Sequence, residues 1–166
     1  MTPFARLLRH LSATRSQARR LFPRATLQAV QACIAAGEKY HRAEIRVIVE
    51  AALPLATVWR GDSSRARAHE LFSHYRIWDT EENCGILLYI NVADHKLEIL
   101  PDRQVGKALK REDWQAVCQT MTNGFASKNY HDSLLQALTQ LNALLAQHFP
   151  DQDKHKNQLS DRPLVL

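Results

Sequence analysis

Glycine is scarce in this chain: five in 166 residues, with none in a G-x-G-x-x-G or G-x-x-x-x-G-K-[ST] arrangement. Both loops need glycine so that backbone N–H groups can close around phosphates, so nucleotide binding by those routes is excluded. Cysteine is scarcer still. Cys33, Cys84 and Cys118 are odd in number and form no C-x-x-C or Cys/His ligand spacing, which excludes a disulfide framework and a zinc module and leaves core packing as their expected role. No G-x-S-x-G elbow or H-E-x-x-H pair is present, and the eight histidines are scattered. His69 and His74 are expected on a helix surface and His148 at a helix end. No apolar run approaches the roughly 20 residues that span a bilayer. Arg6, Arg9 and His10 break the short N-terminal apolar stretch, so no secretory signal is read there and a cytoplasmic location is expected.

Acidic residues are missing from one place in particular. Residues 1–24 hold six arginines (Arg6, Arg9, Arg15, Arg19, Arg20 and Arg24) and no Asp or Glu, while the net charge of the whole chain is +5. The remainder has 16 lysines and arginines against 17 acids, so the basic character belongs to the arm alone. Within the arm, Phe4, Leu7, Leu8 and Leu11 recur at i, i+3, i+4 and i+7 after Pro3, which predicts a short basic amphipathic helix. Its stripe is expected to pack onto the domain with the arginines in water, or else to meet an anionic membrane surface or a partner protein. Arg6, Arg9, Arg15, Arg19 and Arg20 are the docking residues on the latter readings. Specific nucleic-acid binding is not expected, because the arm carries no recognised reading motif.

With 45% hydrophobic residues the chain can bury the core of one domain. The expected division is a helical arm over 1–22, an α/β domain over 23–150 and a loose polar tail over 151–166. Pro23 opens a helix with the stripe Leu27, Val30, Cys33 and Ile34, ending near residues 37–40. Ile45, Val47 and Val49 mark a first strand. Pro54 interrupts regular structure, and Val58 and Trp59 are read as a short edge strand. Asp62, Ser63 or Ser64 caps a helix carrying Ala68, Leu71, Phe72 and Tyr75.

The run Ile86 to Val92 is too uniform for an exposed strand and reads as the central one. Residues 93–96 then form a hairpin turn into an antiparallel strand at Leu97 to Leu100. The helix between the first two strands suits a parallel crossover. A short helical segment follows Pro101 and Asp102. Two longer helices then carry Trp114, Val117, Cys118, Met121 and Phe125, and Leu134, Leu138, Leu141 and Leu145.

One loop concentrates oxygen donors. Asp79, Glu81 and Glu82 precede the central strand, and Asp102 follows the end of its antiparallel neighbour, at the same sheet edge. These four are the candidate ligands for calcium or magnesium, set against a plain solvated turn. Asp62, Asp94 and Glu98 are weaker candidates.

The stretch from Ile77 through Asn83-Cys84-Gly85 to Ile90, then Leu97 to Arg103, resembles the TPM-domain family. The similarity extends upstream through Glu44 to Glu50 and downstream through Phe125, Tyr130, His131 and the last leucine-rich helix. It implies an α/β/α sandwich around a small mixed sheet. It also implies either accessory roles beside membrane proteins, divalent-cation binding among them, or acid phosphatase activity. Cys84 between Asn83 and Gly85, and Gln104 after Arg103, depart from the usual pattern. Without a complete catalytic set, the expected function is a non-catalytic accessory domain that binds a divalent cation and docks to a membrane protein or membrane surface. The alternative is a metal-assisted phosphatase, with Arg103 neutralising substrate phosphate.

Overall fold

Strand β2 (Gly85–Asn91) is buried along its whole length, as an apolar run without polar alternation requires. It pairs in parallel with β1 (Glu44–Glu50) and antiparallel with β3 (Lys96–Pro101), while β4 (Leu164–Val165) joins the far side of β1 in parallel. The sheet order is β3-β2-β1-β4. This is a computed structural model that describes residues 3–151 and 156–166. The parts of the expected arm and tail at 1–2 and 152–155 lie outside the described residues.

Alternation along the strands assigns the two faces. Ile45, Val47 and Val49 of β1, with Ile86, Leu88 and Ile90 of β2, point into the larger core. That core is closed by α2 (Arg15–Leu21), α3 (Arg24–Gly37), α7 (Arg111–Ala126) and α8 (Tyr130–His148). Val30, Ile34, Val117, Met121, Leu134 and Leu138 supply its helical side. On the other face Ile48, Leu87, Tyr89 and Leu100 meet Ala68 and Leu71 of α5 (Ser64–His74), with Leu159, Leu164 and Leu166 beside them. The result is a three-layer α/β/α sandwich around a small mixed sheet. Three further helices complete the described elements: α1 (Pro3–Ser12), α4 (Leu55–Trp59) and α6 (Arg103–Ala108). No helix among the described residues is long and apolar enough to cross a membrane.

Two segments differ from their sequence expectation. Val58 and Trp59 lie in helix α4, not in an edge strand. Pro54 occupies the N-cap, and its carbonyl accepts from the Thr57 and Val58 amides, so the proline starts a turn of helix where it was expected only to end structure. The C-terminal segment, polar enough to read as a loose tail, is held to β1. Glu44 is buried at the start of that strand and accepts from the Gln158 and Leu159 amides, both at 3.0 Å. Arg46 donates to the Ser160 and Arg162 carbonyls, and the Leu166 amide donates to Val49 O at 2.9 Å. A buried carboxylate needs donors, and backbone amides supply them whatever the side chains are.

Gly85 is where the turn enters the central strand, and a Cβ there would lie 1.9 Å from the Ile77 carbonyl oxygen. Asn83, two residues earlier, sits in the left-handed region at φ 52°, which asparagine tolerates better than most residues. Gly85→Ala should therefore cost about 1–3 kcal/mol in chemical denaturation, since a backbone oxygen must move. At Gly106 in α6 the corresponding contact is an ordinary 3.5 Å. Gly106→Ala is expected to be neutral or stabilising by up to about 1 kcal/mol.

Candidate functional site

The acidic turn does not gather its carboxylates. Asp79 is ion-paired with Arg76, three residues back, and Glu82 with Arg42. Glu81 is exposed, its amide bonded to Gln158 Oε1. Asp102 is buried at the N-cap of α6, where Oδ1 accepts from the Arg103 amide at 2.7 Å. Its Oδ2 is buried with no hydrogen-bond partner. The shared sheet edge expected of β2 and β3 is real, since the Asp102 amide donates to Gly85 O at 2.8 Å. Yet among the described residues no three His, Cys, Asp or Glu side chains are placed to hold a metal ion. The donor set does not fit a four-carboxylate cage. Arg103 is exposed. Of the weaker candidates, Asp62 pairs with Arg60 and Glu98 with Arg65.

The cysteines are free thiols, and Cys84 is buried. Burial pushes its thiol up to about 11, and it donates to Arg42 O, which removes it as a nucleophile at neutral pH. His69 and His74 are exposed on α5, as expected, and His148 is the last residue of α8. Two other histidines are buried: His41, bonded to Asn142 Oδ1, and His10.

His10 belongs to the structure's most connected polar cluster, at the β2–β3 turn. Arg6 grips Asp94 with both ends of its fork, Nε to Oδ1 at 3.1 Å and Nη2 to Oδ2 at 2.8 Å. His10 Nε2 reaches Asp94 Oδ1 at 3.0 Å, while its Nδ1 accepts from the Leu53 amide at 3.0 Å. Because Nδ1 is accepting, the Nε2 tautomer donates to the carboxylate. Ser64 adds a bond to Oδ2, and Asn91 Oδ1 fixes the Asp94 amide. Burial alone would raise the Asp94 carboxyl, but the Arg6 and His10 hydrogen bonds hold it down at about 2. Beside this cluster, buried Glu50 accepts from Arg67 and from the Tyr89 hydroxyl at 2.6 Å.

This cluster reverses the expected seating of the N-terminal helix. Arg6 and His10 face inward, and Arg9 reaches Ala93 O at 3.4 Å. Phe4, Leu8 and Leu11 face solvent, at 69%, 50% and 55% exposure. They cannot pack on the domain because the opposite, polar side of α1 is occupied with Asp94. Arg6 is thus a structural anchor, whereas Arg15, Arg19 and Arg20 are exposed. Helix α4 packs against α1 and behaves alike: Thr57 and Val58 are buried, while Leu55 and Trp59, one turn apart, are 48% and 81% exposed. Among the described residues, five of the seven exposed large apolar side chains lie on these two touching helices. The amphipathic period pointed to this patch; which side of the helix faced the domain depended on an aspartate 84 residues away.

A three-layer sandwich with parallel β1–β2 pairing and a β2–β3 hairpin defines the class of protein. The TPM-domain model matches residues 16–144, and the chain belongs to that family. The NMR structure of the BA42 protein from the psychrophilic bacterium Bizionia argentinensis is similar, with a TM-score of 0.76 and 20% sequence identity. The match covers 86% of this chain and 93% of BA42. No curated protein sequence matches the chain.

Removing the central carboxylate should release α1. Asp94→Ala is expected to lower stability by about 1.5–3 kcal/mol, the usual worth of charged hydrogen bonds, and to speed amide exchange across α1 relative to α8. The pH dependence has a defined sign. A carboxyl held below its unfolded value stabilises above that value, so the contribution is lost as pH falls from the ordinary Asp range toward about 2.

Glu38 titrates the other way. Burial, then the Glu44 carboxylate, push it up to about 8. Between the ordinary Glu value and about 8 the folded chain keeps a proton that the unfolded chain has released, so stability falls as pH rises through that window. Glu38→Gln should flatten this part of the Tm–pH curve.

Proposed function

We propose that this TPM domain is an accessory module that docks on an anionic membrane surface through α1 and α4, with no chemistry of its own required for docking. The observation that carries the reading is the apolar face of α1, presented outward beside Leu55 and Trp59. Exposed apolar clusters of this kind mark interaction surfaces. The charge of the flanking segment selects the partner: residues 1–24 hold no acid, and Arg15, Arg19, Arg20 and Arg24, exposed beyond the apolar helix, complement anionic lipid headgroups. An amphipathic helix that buries its apolar side at the headgroup boundary gains both terms at once.

Phosphatidylglycerol-containing vesicles should sediment the protein, and pure phosphatidylcholine vesicles should do so far less. Leu8→Ser with Leu11→Ser is expected to weaken binding at least tenfold, since each buried leucine contributes about 1.5–3 kcal/mol. Charge reversal at Arg15, Arg19 and Arg20 should weaken it further, at about 1 kcal/mol per residue, with the loss masked by salt. A blue shift of tryptophan emission on binding should vanish in Trp59→Phe. Equal binding to neutral and anionic vesicles, or none to either, would reject the reading.

A second reading concerns a divalent cation at the opposite sheet edge, favoured by the unpartnered, buried Oδ2 of Asp102. Asp102 with neighbouring backbone carbonyls and water is the donor set, not the four carboxylates together. Calcium or magnesium titration should shift the amides of residues 102–104, and Asp102→Asn should remove the response. Unchanged spectra at millimolar metal would reject this site, and with it the basis for metal-assisted phosphate-ester hydrolysis here.

A further inference from the structure

A cleft of about 410 Å3 opens where β2 ends, between the end of α2, the β2–β3 hairpin and the α7–α8 turn. Its volume falls within the ~300–1,000 Å3 range of small-molecule sites, and clefts beyond the carboxyl ends of strands are where open α/β sheets bind ligands. The lining separates into two chemistries. Phe22, Phe125 and Tyr130 form an aromatic wall, with ring centroids 5.1–5.9 Å apart, and Ile90 and Leu97 continue it. Phe22 and Ile90 are buried, so this is the base. The exposed His95, Lys96 and Lys128 stand at the opening, and no Asp or Glu lines the cleft. Lys128 holds this place at φ 62°, a left-handed conformation that a side-chain-bearing residue adopts only at a cost. Asp94, next to His95, is already neutralised by Arg6.

We propose that this cleft binds a single-chain anionic amphiphile, with its aliphatic tail against Phe125, Tyr130 and Leu97 and its carboxylate or phosphate head between Lys96 and Lys128. Charge complementarity at the opening and an apolar, aromatic base select that class over neutral or cationic amphiphiles and over polar anions. The site does not share the docking residues: Phe4, Leu8, Leu11, Leu55 and Trp59 are all absent from its lining.

The probes are decanoate, decyl phosphate, decanol and decyltrimethylammonium, each below its micelle-forming concentration, titrated into the full chain by calorimetry and amide NMR. The two anions should bind at least tenfold more tightly than decanol or the cation. Whichever anion binds better identifies the head group. Perturbed amides should include those of Leu21, Leu97, Phe125 and Lys128, and Lys96→Glu with Lys128→Glu should weaken anion binding at least tenfold while leaving vesicle binding in place. Leu8→Ser with Leu11→Ser should leave decanoate binding intact, so failure of the docking surface and failure of the cleft are separable. Equal affinity for decanol, perturbations confined to α1 and α4, or unchanged affinity in the double lysine variant would overturn the proposal.

Discussion

Asp94 sits in the hairpin between β2 and β3, and its carboxylate is held by two side chains from one N-terminal helix. Arg6 supplies a two-pronged ion pair and His10 a fixed-tautomer hydrogen bond, and His10 is locked in turn by the Leu53 amide. The constraint is geometric as well as electrostatic. Arg6 and His10 are four residues apart and share one helix face. Binding both therefore sets the rotation of α1, and that rotation decides which residues meet solvent. Tied this way, α1 carries Phe4, Leu8 and Leu11 outward.

The two edges of the sheet consequently have different characters. At the edge where β2 begins, acids are consumed locally: Arg76 takes Asp79, Arg42 takes Glu82, and the C-terminal segment takes Glu44 through its backbone. The buried carboxylate oxygen left without a partner there, among the described residues, is Oδ2 of Asp102. At the edge where β1 and β2 end, Glu50, Tyr89, Arg67 and the Asp94 cluster form a satisfied polar layer under α1 and α5. Buried polar groups arranged in this way hold one geometry firmly. They give the α1–α4 face and the neighbouring aromatic cleft a rigid support.

TPM-domain membership accounts for the core of this arrangement, residues 16–144. Helix α1 and the C-terminal strand β4 lie outside that span. Both are nonetheless bound to the domain, one through Asp94 and the other by pairing with Ile48 and Val49 of β1. The proposed docking surface takes three of its five apolar residues from α1, ahead of that span, and Leu55 and Trp59 from within it.

Local periodicity by itself determined most elements: the apolar run that had to be the central strand, the hairpin after it, the leucine stripes of α8 and the amphipathic N-terminal helix. These follow from patterns a few residues long, which propensity and burial make legible. Helix α4 was misread because Pro54 both ends one element and caps the next. The C-terminal segment was misread because backbone amides, which every sequence carries, satisfy Glu44. Only the tertiary structure decided what each polar residue is for. Asp79 and Glu82, candidate ligands by composition, are paired with Arg76 and Arg42, and Arg6, a docking candidate by charge, is paired with Asp94. A charge's role is set by its nearest opposite charge or donor in space, and for Arg6 that partner lies 88 residues along the chain.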